Sequence, residues 1–175
     1  TMLAEQNLAL QVDLGDPAGI AHATFDLAQS YIQLDKQEDA KALLEGMLQT
    51  ARKTDDYPIM ARSMALLGDL DVLCGNVEFA LKRYANSTRM YRQLAQADAV
   101  LGLYLKQADL KIAQNAYDDA YAMLQKAAVH LQETEQQASA IADVIRCLAA
   151  LQLAAGETQK AALTLSALVV SPHTA

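Results

Sequence analysis

The 175-residue chain has no tryptophan, only three prolines, seven glycines and two cysteines, and aromatic residues make up just 5% of it. So little proline and glycine leaves few places for the turns of an all-β fold. Cys74 and Cys147 are too far apart and too few for a disulfide scaffold or a metal-spaced pair, and they read as small buried hydrophobes. No apolar run approaches the roughly 20 residues that a membrane-spanning helix requires. The opening Thr1-Met2-Leu3-Ala4-Glu5-Gln6 lacks the basic and apolar regions of a secretion signal. Clustered cations are lacking too: net charge is −7, with 14 basic and 21 acidic residues. That argues against nucleic acid as a partner, since a phosphate-binding surface needs grouped Lys and Arg. The densest group, Lys82-Arg83 followed by Arg89 and Arg92, falls within one helix and reads as a solvated face. With no membrane segment and no disulfides, the expected location is cytoplasmic.

Catalytic chemistry is missing as well. His22, His130 and His173 fall in different segments, and none has a second His at metal spacing on its helix face. His130, late in its helix, suits a helix C-terminus. Asp55-Asp56 and Asp118-Asp119 stand where helices begin, so capping accounts for them better than acid–base work. There is no glycine-rich phosphate loop, and Tyr57, Tyr91 and Tyr117 share no column. The expectation is a non-enzyme with no catalytic residue, metal or cofactor.

What the chain does contain is 53% hydrophobic residues, rich in Ala, Leu and Gln, which favour helix, and a repeat. Leu27-Ala28, Leu67-Gly68, Gln107-Ala108 and Leu148-Ala149 recur at spacings of 40, 40 and 41. Twelve residues after each small residue stands an alanine: Ala40, Ala80, Ala120 and Ala161. Four further on come Leu44, Tyr84, Leu124 and Leu165. Ile20, Met60, Val100 and Ile141 open the first helix of each unit, and Ile32, Val72, Ile112 and Leu153 complete its apolar face. Polar turns at Asp35, Gly75, Asn115 and Gly156 separate the helices, in residues that tolerate a left-handed backbone. Small residues at matched places let antiparallel helices approach closely. Ala28 therefore faces Ala40, and each hairpin stacks on its neighbours.

In these columns the chain resembles the tetratricopeptide repeat (TPR) family. The first unit carries most of the pattern, with Leu27-Ala28, Tyr31, Ala40 and Leu44; the later units keep the small residue, the alanine and the large residue. The family's early Trp is missing, its aromatic becomes Asp71, Lys111 and Gln152, and its proline after the second helix is absent. The 40-residue period is similar to the longer variant in bacterial regulatory and signalling proteins. The resemblance implies an all-α, right-handed α-solenoid of antiparallel hairpins, about nine helices, forming a single domain over 1–175. Repeats run over about 20–56, 60–96, 100–137 and 141–171. Residues 3–14 read as an amphipathic helix left from a preceding repeat, ended by Gly15, with Asp16 as N-cap and Pro17 at the first helical position of the next. Leu163, Leu165, Leu168, Val169 and Val170 lie on the last helix, before Ser171-Pro172. Neither end is capped with polar residues, which suggests an excised segment of a longer protein, or self-association through the ends.

By the same resemblance, first helices line a concave groove through the second, fifth, ninth and thirteenth residues of each unit. These are His22, Phe25, Gln29 and Gln33; Arg62, Ala65, Asp69 and Leu73; Gly102, Leu105, Asp109 and Ala113; and Asp143, Arg146, Ala150 and Ala154. The candidate partner-binding set is His22, Phe25, Gln29, Arg62, Asp69, Leu73, Leu105, Asp109 and Arg146. Phe25, Leu73 and Leu105 would take an apolar anchor. Asp69 and Asp109 would attract a basic group, unless they pair with Lys106 or Lys111. The family's clamp for chaperone tails would fall on Phe25, Gln29, Leu66, Gly102 and Lys106, residues that cannot build it. The expected function is a protein–protein interaction scaffold holding a peptide or partner protein, within a larger regulatory or signalling protein. The alternatives are a sensor module taking a small-molecule or peptide effector, and a homo-oligomerising assembly element.

Overall fold

The computed structural model describes residues 2–134, 138–157 and 160. Its elements are α1 (Met2–Leu14), α2 (Pro17–Gln33), α3 (Gln37–Lys53), α4 (Tyr57–Leu73), α5 (Val77–Gln93), α6 (Ala97–Ala113), α7 (Tyr117–Thr134) and α8 (Ala138–Ala154). No strand occurs among the described residues. The all-α hairpin architecture expected from the repeat is what forms, with eight helices among the described residues. The expected ninth, with Ala161, Leu163, Leu165, Leu168, Val169 and Val170, lies outside the described residues, as does His173.

The sequence period of 40 contains a finer one. Helices α2 to α6 each have 17 residues and begin at 17, 37, 57, 77 and 97, every 20 residues. One left-handed residue ends each of these helices at the same interval: Asp35, Asp55, Gly75, Ala95 and Asn115, with φ between 53° and 77°. Gly15 and Gly156 end α1 and α8 in the same way. Around them runs a Schellman pattern that satisfies the last carbonyls. The Lys36 amide donates to Tyr31 O at 2.8 Å and the Asp35 amide to Ile32 O at 3.1 Å, a pairing repeated by Asn76/Gly75, Ala116/Asn115 and Glu157/Gly156. Asp35, Gly75, Asn115 and Gly156 were legible as such stops. Asp55, read as a cap, is a left-handed stop instead, and Asp56 alone caps, accepting from the Ile59 amide at 3.1 Å. Asp16 caps α2 through the Ala18 amide, with Pro17 at the first helical position, as expected.

The chain divides into two compact units, Thr1–Leu94 and Ala95–Ala175. In unit 1, α1 to α5 pack each on the next, and α2 also meets α4. The core joins Phe25, Ala28, Ala40, Leu44, Leu48, Leu67 and Leu70. In unit 2, α6, α7 and α8 all pack on one another around Ala108, Ala120, Leu124, Cys147 and Leu151. Ala28, Ala40, Ala80, Ala108, Ala120 and Ala149 are all buried, so the small columns sit where the helices cross. Helix α1 forms, but without the buried face expected of it. Leu3, Leu10, Val12 and Leu14 are exposed, and only Ala4, Leu8 and Gln11, along one stripe, are half-buried. Tyr31 of α2 ties it down by donating to Glu5 Oε1 at 3.1 Å.

Two helix-interior glycines are tolerated for opposite reasons. A Cβ on Gly68 would lie 2.6 Å from Cε1 and 2.8 Å from Cδ1 of Tyr84, so this glycine is required by its neighbour. A Cβ on Gly46, in α3, would meet nothing within 4 Å. Glycine there gives up helix propensity without a packing return, so Gly46→Ala should stabilise the chain by about 1 kcal/mol, read as a higher urea midpoint with unchanged slope.

Candidate functional site

Packing sorts the first-helix positions by column. The fifth position turns toward the helix crossings in the first three units, where Phe25 is buried and Ala65 and Leu105 are half-buried, whereas Arg146 of the fourth is exposed. The ninth and thirteenth positions stay open. Gln29, Asp109 and Ala150 are exposed in one column, and Gln33, Leu73, Ala113 and Ala154 in the other; Asp69 alone is half-buried. In the second column His22 and Gly102 are exposed, and Arg62 and Asp143 are half-buried.

In unit 1 the site is carried by α2 and α4. Phe25 does not serve as an exposed apolar anchor. Its ring belongs to the core, with the Arg62 guanidinium 4.3 Å above its centroid, an attraction between cation and ring face. The same guanidinium lies 3.5 Å from His22 Nδ1. Burial raises the Tyr91 phenol above its ordinary value, against the opposing pull of Arg62. Leu73, at the last turn of α4, is 55% exposed and is the apolar contact that remains available. Asp69 accepts from the Tyr84 hydroxyl at 2.6 Å. Burial, and then this bond to an anion, push the Tyr84 phenol well above the usual tyrosine range. Asp69 is thus a tie between α4 and α5 before it is a ligand for any basic group. The neighbouring Asp71 stands 2.7 Å from Nε of Arg83, a second polar tie between the same helices.

In unit 2 the site is carried by α6 and α8. Asp109 remains exposed while accepting from the Cys147 thiol at 3.1 Å. Burial first, and the Asp109 bond second, raise that thiol to about 12. Arg146 is exposed and pairs with Asp143 at 2.9 Å, a contact within α8 worth little in water. Lys111 pairs with Asp119 at 3.0 Å, not with either groove aspartate. Leu105 packs against the unit 2 core and is only partly available. Gly102 has nothing within 4 Å of an added Cβ, so the backbone of α6 is open to approach there.

Some residues outside this face depart from the sequence reading. Cys147 is buried as expected, but Cys74 is exposed, at the C-cap of α4 facing the start of α3, where its thiol donates to Gln37 Oε1 at 3.1 Å. His130 does not sit on a helix C-terminus; its Nε2 is 3.0 Å from the carbonyl of Ala97 at the start of α6, and its ring meets Tyr104 edge-on at 6.3 Å. Of the tyrosines, Tyr91 is buried, Tyr117 lies within donating distance of the Ala154 carbonyl (2.9 Å), and Tyr57 is exposed. No group of three or more His, Cys, Asp or Glu residues among the described residues is placed to hold a metal. No helix among them is long and apolar enough to cross a membrane.

No protein-family model matches the chain. No curated protein matches it either. Solved structures do. The crystal structure of BtubC (BKLC) from P. vanneervenii superposes with a TM-score of 0.79 at 18% identity, covering 99% of this chain and 73% of that one. Two crystal structures of kinesin-light-chain-type, nearly identical TPR-like repeats from Podosopora anserina match with TM-scores of 0.75 and 0.74. Each is 20% identical and covers 97% of this chain and 83% of the other. At these identities the likeness shows the fold, which is that of TPR-like helical repeats.

Proposed function

We propose that this chain, with the fold of TPR-like repeat proteins, is a scaffold that takes a peptide or partner protein on the face of its first helices. The observation that carries this reading is the sorting of columns. Packing of the hairpins uses the fifth position in the first three units and leaves the ninth and thirteenth exposed except at Asp69, with Leu73 among them in unit 1, while in unit 2 the backbone at Gly102 is open. An exposed apolar residue set among polar ones, on a rigid helical surface, is how an interaction hot spot is built. In unit 1, Gln29 and Gln33 expose side chains on α2 that can hydrogen-bond a peptide backbone, and in unit 2 Asp109 exposes one suited to a basic group. Placement in a regulatory or signalling protein of the cytoplasm agrees with the acidic, disulfide-free composition, and cofactors play no part in it.

The test should avoid Asp69, because its substitution would also strand the buried Tyr84 hydroxyl. Leu73→Glu combined with Gly102→Arg changes only exposed positions. In a pull-down from the native host, partners retained by the wild-type chain should be lost from this variant, with its circular dichroism unchanged. Recovery of the same partners by both proteins would remove the first-helix face from consideration.

A further inference from the structure

Helix α5 carries a solvent face unlike that of the other second helices. Phe79, Lys82, Asn86 and Arg89 follow one another at helical spacing, so they share one side of the helix, and all four are exposed. Arg92 flanks this stripe near the helix end and is exposed too. The opposite side, with Ala80, Tyr84, Ser87 and Tyr91, is buried. Packing of unit 1 therefore places no demand on the stripe.

The repeat puts other residues at these positions 40 residues before and after. Asp39 of α3 and Asp119 of α7 stand where α5 has Phe79, and an acid in the first turn favours the helix dipole. Helix α5 gives up that charge and shows a ring that is 61% exposed. Ala42 and Ala122 match Lys82, and Gln49 and Val129 match Arg89. The outcome is four basic residues in α5 against the single acid Glu78. The other described helices, with His neutral, are uncharged overall or negative. Arg83 is taken by Asp71, at 2.7 Å. Lys82, Arg89 and Arg92 make no ion pair among the described residues. Lys82 Nζ lies 5.7 Å from the Phe79 ring centroid, cation over ring face. Glu78, one turn before Lys82, offsets no more than one of the three free charges. The stripe is net positive.

We propose that the exposed face of α5 is a second binding surface, taking an acidic helical segment of a partner protein. Lys82 and Arg89 are seven residues apart, about 10 Å along the axis, which matches carboxylates two turns apart on a facing helix. An apolar residue at one end of that segment covers Phe79, in the manner of an interface anchor. A nucleic acid fits less well. Of 21 acidic and 14 basic residues, those outside α5 number 20 and 10, so a long polyanion would run off the stripe onto a negative surface.

The probe is a short fluorescein-labelled helical peptide of Glu and Ala with one Leu near its end, titrated with the full chain and followed by anisotropy. It should bind in preference to its Gln-for-Glu and Ala-for-Leu versions and to an oligothymidylate of equal charge. Raising the salt to about 1 M, where the screening length falls to about 3 Å, should weaken the complex. Lys82→Glu combined with Arg89→Glu turns two attractions into repulsions and should weaken binding by roughly tenfold or more. Phe79→Asp restores the acid of the neighbouring repeats, so it should weaken binding while melting no lower than wild type. The Leu73→Glu/Gly102→Arg pair should bind as wild type does, which separates this surface from the first-helix face. Absence of binding, insensitivity to salt, preference for the oligothymidylate, equal binding of the Leu-free peptide, or full binding by either α5 variant would each overturn the proposal. So would loss of binding in the Leu73→Glu/Gly102→Arg pair.

Discussion

Gly68→Ala should destabilise the folded chain by about 1–3 kcal/mol, although the same change at Gly46 should stabilise it. The added methyl carbon would sit 2.6 Å from the Tyr84 ring, which cannot swing aside. That ring is buried, and its hydroxyl is bonded to Asp69 at 2.6 Å. At the corresponding places elsewhere, Ala28 stands with Leu44 and Ala108 with Leu124, a larger small residue with a smaller large one. Tyr84→Leu alone should cost about 2 kcal/mol or more, through the cavity left beside Gly68. Combined with Gly68→Ala it restores the Ala–Leu pairing, and the double variant should be more stable than the sum of the singles by over about 1 kcal/mol. Urea denaturation of the four proteins completes the cycle. Additive effects, or a stabilised Gly68→Ala, would show that the ring does not set the size of residue 68.

The second large effect concerns thiol reactivity. Cys147 is 6% exposed, and burial with the Asp109 bond raises its thiol from an ordinary 9.0 to about 12. Only the thiolate reacts, and three units lower its fraction roughly a thousandfold at pH 8. Iodoacetamide should therefore modify the folded chain at exposed Cys74 and leave Cys147 untouched, whereas the urea-unfolded chain should take two groups at similar rates. Intact mass against time reads the difference; rapid double modification of the folded chain would contradict it. The same shift ties stability to alkali. A group whose folded value is raised stabilises the fold fully below its unfolded value, and that contribution is lost as pH climbs toward the folded one. For Cys147 the decline should run from about pH 9 toward 12, and Tyr84, raised for the same reason, should extend it.

Periodicity carried much of the architecture because the hairpin writes its demands in residue size. A crossing accepts only Ala or Gly, a helix stop prefers Gly, Asn or Asp, and both recur at fixed distances. The stop at Ala95 escaped this reading, since alanine announces no left-handed backbone, and so did Asp55, whose type also suits a cap. Phe25 escaped because an aromatic in a groove column looks the same whether it faces solvent or Arg62. Cys74 looked like a core residue and lies at an exposed helix end.

From the order of residues alone come the helical class, the hairpin unit, the crossing alanines and the turns, because each depends on residues close in the chain or on size at a regular interval. Contacts between distant positions settled the rest. Whether Asp69 is a ligand or a tie to Tyr84, and whether Gly68 or Gly46 is the replaceable glycine, both turn on how whole helices lean. That lean is the summed fit of many side chains at once, and no single column of residues encodes it.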